Sequence, residues 1–290
     1  MKPATFTYHS CRTVEEAVGH LGAAADAKVI CGGQSLVPMM NLRLANPTDL
    51  VDLNRIPGLD AVEVGPAGIT VGATARQHAV EISPDVTAAV PMLAAALGHV
   101  GHPQIRNRGT VVGSLCHADP AAEMPAVFAT LGGSVTAQGP GGTRTIGAAD
   151  FFDSYLTTSL AADEVATSVT FDRPEPGAGW SFEEVTRRHG DFAIVGVVTL
   201  VAVTGGSVAQ ARVTVFGGGG TPQRMADAEQ LLVGTARADV DEELLRSAGA
   251  AVSSALTPTG DIHGSAAYRR HVAGVLVTRG LRTALDRARG

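Results

Sequence analysis

The chain has 290 residues, 45% hydrophobic and 17% charged, a balance that fits one large folded domain or two ordinary ones and excludes a disordered or collagen-like protein. Its formal net charge of -6 excludes a broad nucleic-acid-binding face, which needs a basic surface to neutralise phosphates. Glycine fills 35 positions, about 12% against a usual ~7%, while the three cysteines, Cys11, Cys31 and Cys116, contain no Cys-x-x-Cys pair and can build neither a disulfide framework nor a four-thiolate metal site.

Thr13-x-x-Glu16 is a capping box that opens a short helix with Val14, Ala17, Val18 and Leu21 on one side and a stop at Gly22. Lys28 to Cys31 reads as a buried strand running into Gly32-Gly33-Gln34-Ser35, and Leu36 to Leu44 as a helix. Asp49 to Leu53 and Gly68 to Gly72 alternate as strands, Thr74-x-x-Gln77 has the spacing of a helix cap, and Pro84 to Leu97 reads as one helical stretch. Gly101 to Ser114 is polar and glycine-punctuated, but its apolar exit, Val111-Val112-Gly113-Ser114-Leu115, sends it through the interior. A helix is expected from Ala121 to Leu131 and strands around Ser134 to Ala137 and Val165 to Phe171.

Proline and glycine crowd into Asp172 to Gly179, the best boundary in the chain. Beyond it, Phe192 to Val203 and Val208 to Phe216 flank Gly205-Gly206-Ser207 as a hairpin. Helices follow at about Met225 to Leu232, Asp241 to Leu256 and Tyr268 to Arg289, an α+β tail. The most apolar stretch is too short to span a bilayer, and Met1 to Tyr8 lacks the apolar core of a signal peptide, so the cytoplasm is the expected location.

The common nucleotide signatures are missing. Lys2 and Lys28 are the only lysines and neither follows a phosphate-binding glycine loop, while Thr221-Pro222 breaks a dinucleotide reading of Gly217 to Gly220. Two other segments, Gly32 to Ser35 and Gly109 to Ser114, each pass from extended chain into a turn and end in a hydroxyl. Such turns present backbone N–H groups to an anion, and two facing each other could hold a pyrophosphate without lysine; ordinary turns are the competing reading.

Longer wording carries more. Cys31-Gly32-Gly33-Gln34-Ser35-Leu36-Val37-Pro38-Met39-Met40 with Arg43-Leu44-Ala45, the segment Gly101 to Ser114, and His117-Ala118-Asp119-Pro120-Ala121-Ala122-Glu123 resemble the FAD-binding medium subunit of the molybdenum hydroxylases. So do Arg187-Arg188-His189-Gly190-Asp191-Phe192-Ala193 and the tail Asp261 to Arg270. This is the xanthine dehydrogenase and aerobic carbon monoxide dehydrogenase family, and the resemblance covers nearly the whole chain. It implies an α+β architecture built on α/β lobes: a vanillyl-alcohol-oxidase-type (PCMH) FAD-binding fold over residues 1–175, with lobes of about 1–57 and 58–175, and a carbon monoxide dehydrogenase flavoprotein-type C-terminal domain over 178–290.

By the same resemblance, Val29, Ile30, Cys31, Gly32, Gly33, Gln34, Ser35 and Leu36 form a first pyrophosphate loop, and Thr110, Val111, Val112, Gly113 and Ser114 a second, with Gly101 on the approach. Glu123 sits where the family has an acidic residue on the ribityl and adenosine side of FAD, and Leu160 and Arg187 near two further contacts. Val112 replaces a family glycine, and its side chain is expected to crowd the phosphates. The family's medium subunit performs no hydroxylation, so no catalytic residue and no metal ligand is implied here. A large subunit carries the molybdenum cofactor, a small subunit carries 2Fe–2S clusters, and the flavin passes electrons to NAD, a quinone or oxygen, in a dimer of heterotrimers. Two alternatives are a self-contained flavin oxidase of the same fold and a scaffold that has lost its flavin.

Among the remaining side chains, His99-x-x-His102 reads as a polar loop pair rather than a metal site, and His117 and Asp119 as residues that fix backbone geometry. Cys31 and Cys116 read as buried small side chains. Arg106 and Arg108 suit either a phosphate or an acidic partner surface, and Phe192 suits either the flavin ring or the start of a core strand.

Overall fold

A computed structural model describes residues 1–289. The chain begins with a small parallel sheet whose strands lie in the order Thr7–Ser10, Asp49–Asp52, Ala27–Ile30. The helix Val14–Ala23 crosses between its edge strands and buries Ala17, Val18 and Leu21. Thr13 Oγ1 accepts the Glu16 N–H at 3.2 Å, while the Glu16 carboxylate reaches back to the Arg12 N–H at 2.7 Å, so the reciprocal half of the capping box falls one residue early.

An antiparallel sheet follows, in the order Val62–Val64, Gly68–Gly72, Val165–Asp172, Gly133–Gly139, Gly142–Gly147. The helices Val111–His117 and Glu123–Leu131 pack on its central strand. Phe128 meets Phe171 edge-on at 5.6 Å and Phe151 at 6.1 Å, all three fully buried; each such ring contributes about 1.5–3 kcal/mol by leaving water.

The last sheet is antiparallel, in the order Gly179–Val185, Val195–Thr204, Ser207–Phe216, Gln223–Arg224. Its second strand is apolar on both faces. Val195, Val197, Val201 and Val203 join a core with the helices Glu242–Ala255 and Ala266–Arg287, whereas Val198 and Leu200 join the core of the preceding sheet. That two-sided burial explains the unbroken apolar run in the sequence. Among the described residues no helix is long and apolar enough to cross a membrane.

Four local expectations change. The helix after Ser35 is Leu36–Asn41 and stops short of Leu44, because Arg43 turns left-handed at φ 59° and Asn46 Nδ2 donates to its carbonyl at 3.1 Å. The Pro84 to Leu97 stretch is two helices, Pro84–Ala89 and Pro91–Leu97, because Pro91 has no N–H and forces Val90 out of the helical region. Thr74 caps nothing: the helix Gln77–Glu81 is preceded by Arg76, which bridges to Thr110, and the Gln77 N–H bonds the Gly109 carbonyl at 2.9 Å instead. The hairpin strand opens at Val195, and Phe192 is 60% exposed rather than the first core residue.

Candidate functional site

The two glycine segments touch. A Cβ on Gly32 would lie 2.3 Å from the Arg108 carbonyl oxygen and 2.8 Å from the Gly109 Cα, so only glycine lets the first turn reach the second. In the first turn the hydrogen bonds consume carbonyls: Gly32 O accepts from Gln34 Nε2, Gly33 O from the Val37 N–H and Ser35 O from the Met39 N–H. Among the described residues the N–H groups of Gly33, Gln34 and Ser35 have no acceptor. Three unpaired donors on a half-exposed turn suit an anion.

The second segment is a helix start rather than a loop. Thr110 is the N-cap of the helix Val111–His117, and its Oγ1 accepts the Gly113 N–H at 3.1 Å. Val111 and Val112 point into the core, with Val112 2% exposed, while Gly113 and Ser114 are half-exposed. The crowding expected of Val112 therefore does not arise: its side chain leaves on the core side of the helix. Ahead of this helix, Arg106 is buried and structural. Its Nε meets Glu81 Oε2 at 2.8 Å, and its Nη1 donates to the carbonyls of Val100 and Gly101.

Two residues that carried no motif brace the turns from behind. Asn54 Nδ2 donates to the Cys31 carbonyl at 2.8 Å, and Arg76 donates to the Arg108 carbonyl at 2.8 Å and to Asn54 Oδ1 at 2.5 Å. They border a cavity of about 420 Å³ shared with Arg55, Asp60 and Thr74, and none of the residues singled out for FAD lines it. The Cys31 and Cys116 thiols, one beside each segment, are raised by burial to about 12.

Glu123 opens the helix Glu123–Leu131 and is 4% exposed, and no described side chain donates to its carboxyl. Burial pushes it up to about 8 against the hydrogen bond from its own backbone N–H, which lowers it; the Glu184 and Asp119 charges raise it and His99 lowers it. Asp119 holds the preceding turn by accepting the Ala121 N–H at 2.9 Å, and burial lowers the neighbouring His117.

Leu160 is partly buried against the same core as the helix Val111–His117, which packs on the nearby strand Thr157–Thr158. Arg187 is exposed in the connection ahead of Val195. That connection folds back on the approach segment, where a Cβ on Gly190 would lie 2.7 Å from the Gly101 carbonyl. Val29 and Ile30 are half-buried at the end of the parallel sheet, and Leu36 starts the helix beyond it. The unpaired amides, the close approach at Gly32 and the buried Glu123 carboxyl fit a ligand with a pyrophosphate and hydroxyl groups, as FAD has.

Comparison with known proteins agrees. Residues 4–174 match the family described as the FAD binding domain in molybdopterin dehydrogenase, and residues 180–284 the CO dehydrogenase flavoprotein C-terminal domain. The chain is 40% identical to the 6-hydroxypseudooxynicotine dehydrogenase complex subunit alpha of Paenarthrobacter nicotinovorans, over 100% of this chain and 97% of that one. A carbon monoxide dehydrogenase chain from Hydrogenophaga pseudoflava superposes with a TM-score of 0.96 at 35% identity, covering 100% of both chains. A quinoline 2-oxidoreductase chain from Pseudomonas putida 86 does so with a TM-score of 0.93 at 34% identity, covering 99% of each. With most of its length matched by the two family models and all of it by relatives in sequence and fold, the chain belongs to the FAD-binding medium subunits of the molybdenum hydroxylases, and is an oxidoreductase subunit.

Proposed function

We propose that this chain carries electrons within a heterotrimeric molybdenum hydroxylase, receiving them from the 2Fe–2S clusters of a small subunit and passing them to NAD, a quinone or oxygen. The observation that carries the reading is the contact of two phosphate-ready segments at Gly32, with the unpaired amides of Gly33, Gln34 and Ser35 beside it. Bound FAD supplies the exchange between single electrons and a two-electron transfer. The chain supplies the rest: backbone N–H groups for the pyrophosphate, the Glu123 carboxyl for hydroxyl groups, and a braced loop pair that holds its shape without lysine.

Three cysteines are too few for a four-thiolate iron–sulfur centre, so the electron donor is a partner subunit. A large molybdenum-cofactor subunit completes the trimer, paired as a dimer of heterotrimers in the cytoplasm. The proposed domains are 1–175, with lobes of about 1–57 and 58–175, and 178–290. The relatives named for 6-hydroxypseudooxynicotine and quinoline favour an N-heteroaromatic substrate for the large subunit. The test is to purify the full chain with its co-purifying partners, add FAD and gel-filter. Flavin absorbance travelling with the chain, and its bleaching when substrate is added to the complex, are the expected results. A colourless chain that no partner restores ends the reading.

A further inference from the structure

Two carbonyls at the glycine segments are held through one side-chain amide. Asn54 Nδ2 donates to the Cys31 carbonyl at 2.8 Å, Arg76 donates to Asn54 Oδ1 at 2.5 Å, and the same guanidinium donates to the Arg108 carbonyl at 2.8 Å. Among the described residues no other group donates to either carbonyl. The Asn54 amide cannot turn over. A guanidinium only donates, so the atom facing Arg76 is the oxygen, and the nitrogen is left for the acceptors. Its second hydrogen goes to Asp52 Oδ1 at 2.5 Å, which also takes the Asn54 N–H at 2.8 Å, while Asp52 Oδ2 takes the Tyr8 hydroxyl. Arg76 in turn is anchored to the second segment, its backbone bridging to Thr110.

The Cys31 carbonyl decides the direction of another group. The carbonyl and N–H of one planar trans peptide point opposite ways, and the described residues contain no cis peptide. Asn54 therefore aims the Gly32 N–H away from itself and from the cavity that it lines with Arg76. That N–H has no acceptor among the described residues, and it directly precedes the unpaired N–H groups of Gly33, Gln34 and Ser35. The Arg108 carbonyl excludes a side chain at position 32, so its backbone is all that this residue offers.

We propose that Asn54 is a positioning residue for the pyrophosphate: by holding the Cys31 carbonyl back, it presents the Gly32 N–H to the phosphate oxygens as a fourth backbone donor of the first segment. This rests on the FAD reading above. Arg76 sets the Asn54 amide, so the first segment is aimed only where the second has packed beside it.

The probes are FAD and ADP, which carries the pyrophosphate and adenosine of FAD without the flavin, titrated into the deflavinated full chain with its partners. Asn54→Asp keeps the size of the side chain and the acceptor for Arg76, but turns an oxygen toward the Cys31 carbonyl. Repulsion drives that carbonyl round, and the Gly32 N–H with it. Affinity for both probes should fall about tenfold or more, the weight of one hydrogen bond to a charged group. The double variant Asp52→Asn with Asn54→Asp restores one amide, one carboxylate and the wild-type net charge. It should recover stability in denaturant unfolding but not affinity. Asn54→Ala leaves the carbonyl to water and should lose less affinity than Asn54→Asp. A merely structural role makes affinity follow stability through the series.

Hydrogen exchange resolved at single amides reads the donor itself. FAD should protect the amides of Gly32 to Ser35 in the wild type, and in Asn54→Ala the protection should drop at Gly32 alone. Recovery of affinity together with stability in the double variant, no FAD protection at Gly32 in the wild type, or equal Gly32 protection in Asn54→Ala overturns the proposal. A wild-type complex that binds neither FAD nor ADP overturns the functional reading, and this assignment with it.

Discussion

Val112 shows how one residue can carry opposite meanings in sequence and structure. In the sequence it replaces a glycine beside the phosphates. In the fold it is a core residue, 2% exposed, because the helix start rotates it away from Gly113 and Ser114. Restoring the family residue with Val112→Gly therefore removes buried apolar volume and adds backbone entropy to a helix. The expected cost is about 2–3 kcal/mol in denaturant unfolding with no gain in FAD affinity. Tighter FAD binding by the variant would mean that the side chain does face the phosphates. Glu123 stood out in the sequence through the motif it belongs to, but its environment did not. Its 4% exposure raises the carboxyl, and that burial comes from packing no contiguous motif displays.

At the scale of elements, the second glycine segment works as a capped helix start. The Thr110 hydroxyl satisfies the Gly113 N–H, and the Thr110 backbone bridges to Arg76. Thr110→Ala should lower stability by about 1 kcal/mol and weaken FAD retention on gel filtration, and Thr110→Ser should recover most of both. Equal FAD retention in Thr110→Ala would sever the cap from the cofactor. Periodicity located the helices at Val14, Glu123, Glu242 and Ala266 well, since each shows an apolar stripe or a local cap signal. It failed at Thr74-x-x-Gln77, where the spacing is right but the Gln77 N–H is claimed by Gly109 from another segment. A cap motif is a local offer that a distant carbonyl can outbid.

Across the whole molecule, Arg269 ties the C-terminal helix, through Gly217, to the turn ahead of Glu123. Buried among three segments, its guanidinium donates to the carbonyls of Ile194 and Gly217 and pairs with Asp261 at 2.7 Å. Gly217, at φ 69°, in turn donates its N–H to the Pro120 carbonyl at 2.7 Å, three residues before Glu123. The Gly217 to Gly220 run, which had no role as a motif, thereby gains one at its first residue. Arg269→Ala should cost about 2–4 kcal/mol by leaving two buried carbonyls without donors. It should also loosen FAD, and Arg269→Lys should rescue only part of either, because an ammonium lacks the guanidinium fork. Unchanged FAD retention in a destabilised Arg269→Ala would limit the residue to stability.

The sequence alone determined the family, marked two glycine segments, and left too few cysteines for an iron–sulfur centre. Those rest on contiguous wording and on a cysteine count, both properties of the chain before it folds. Tertiary structure decided that Gly32 meets Arg108, that Asn54 and Arg76 brace the pair, that Val112 belongs to the core, and that Glu123 is buried. Each of these depends on burial or on a partner remote in sequence, and neither exists until the chain is packed.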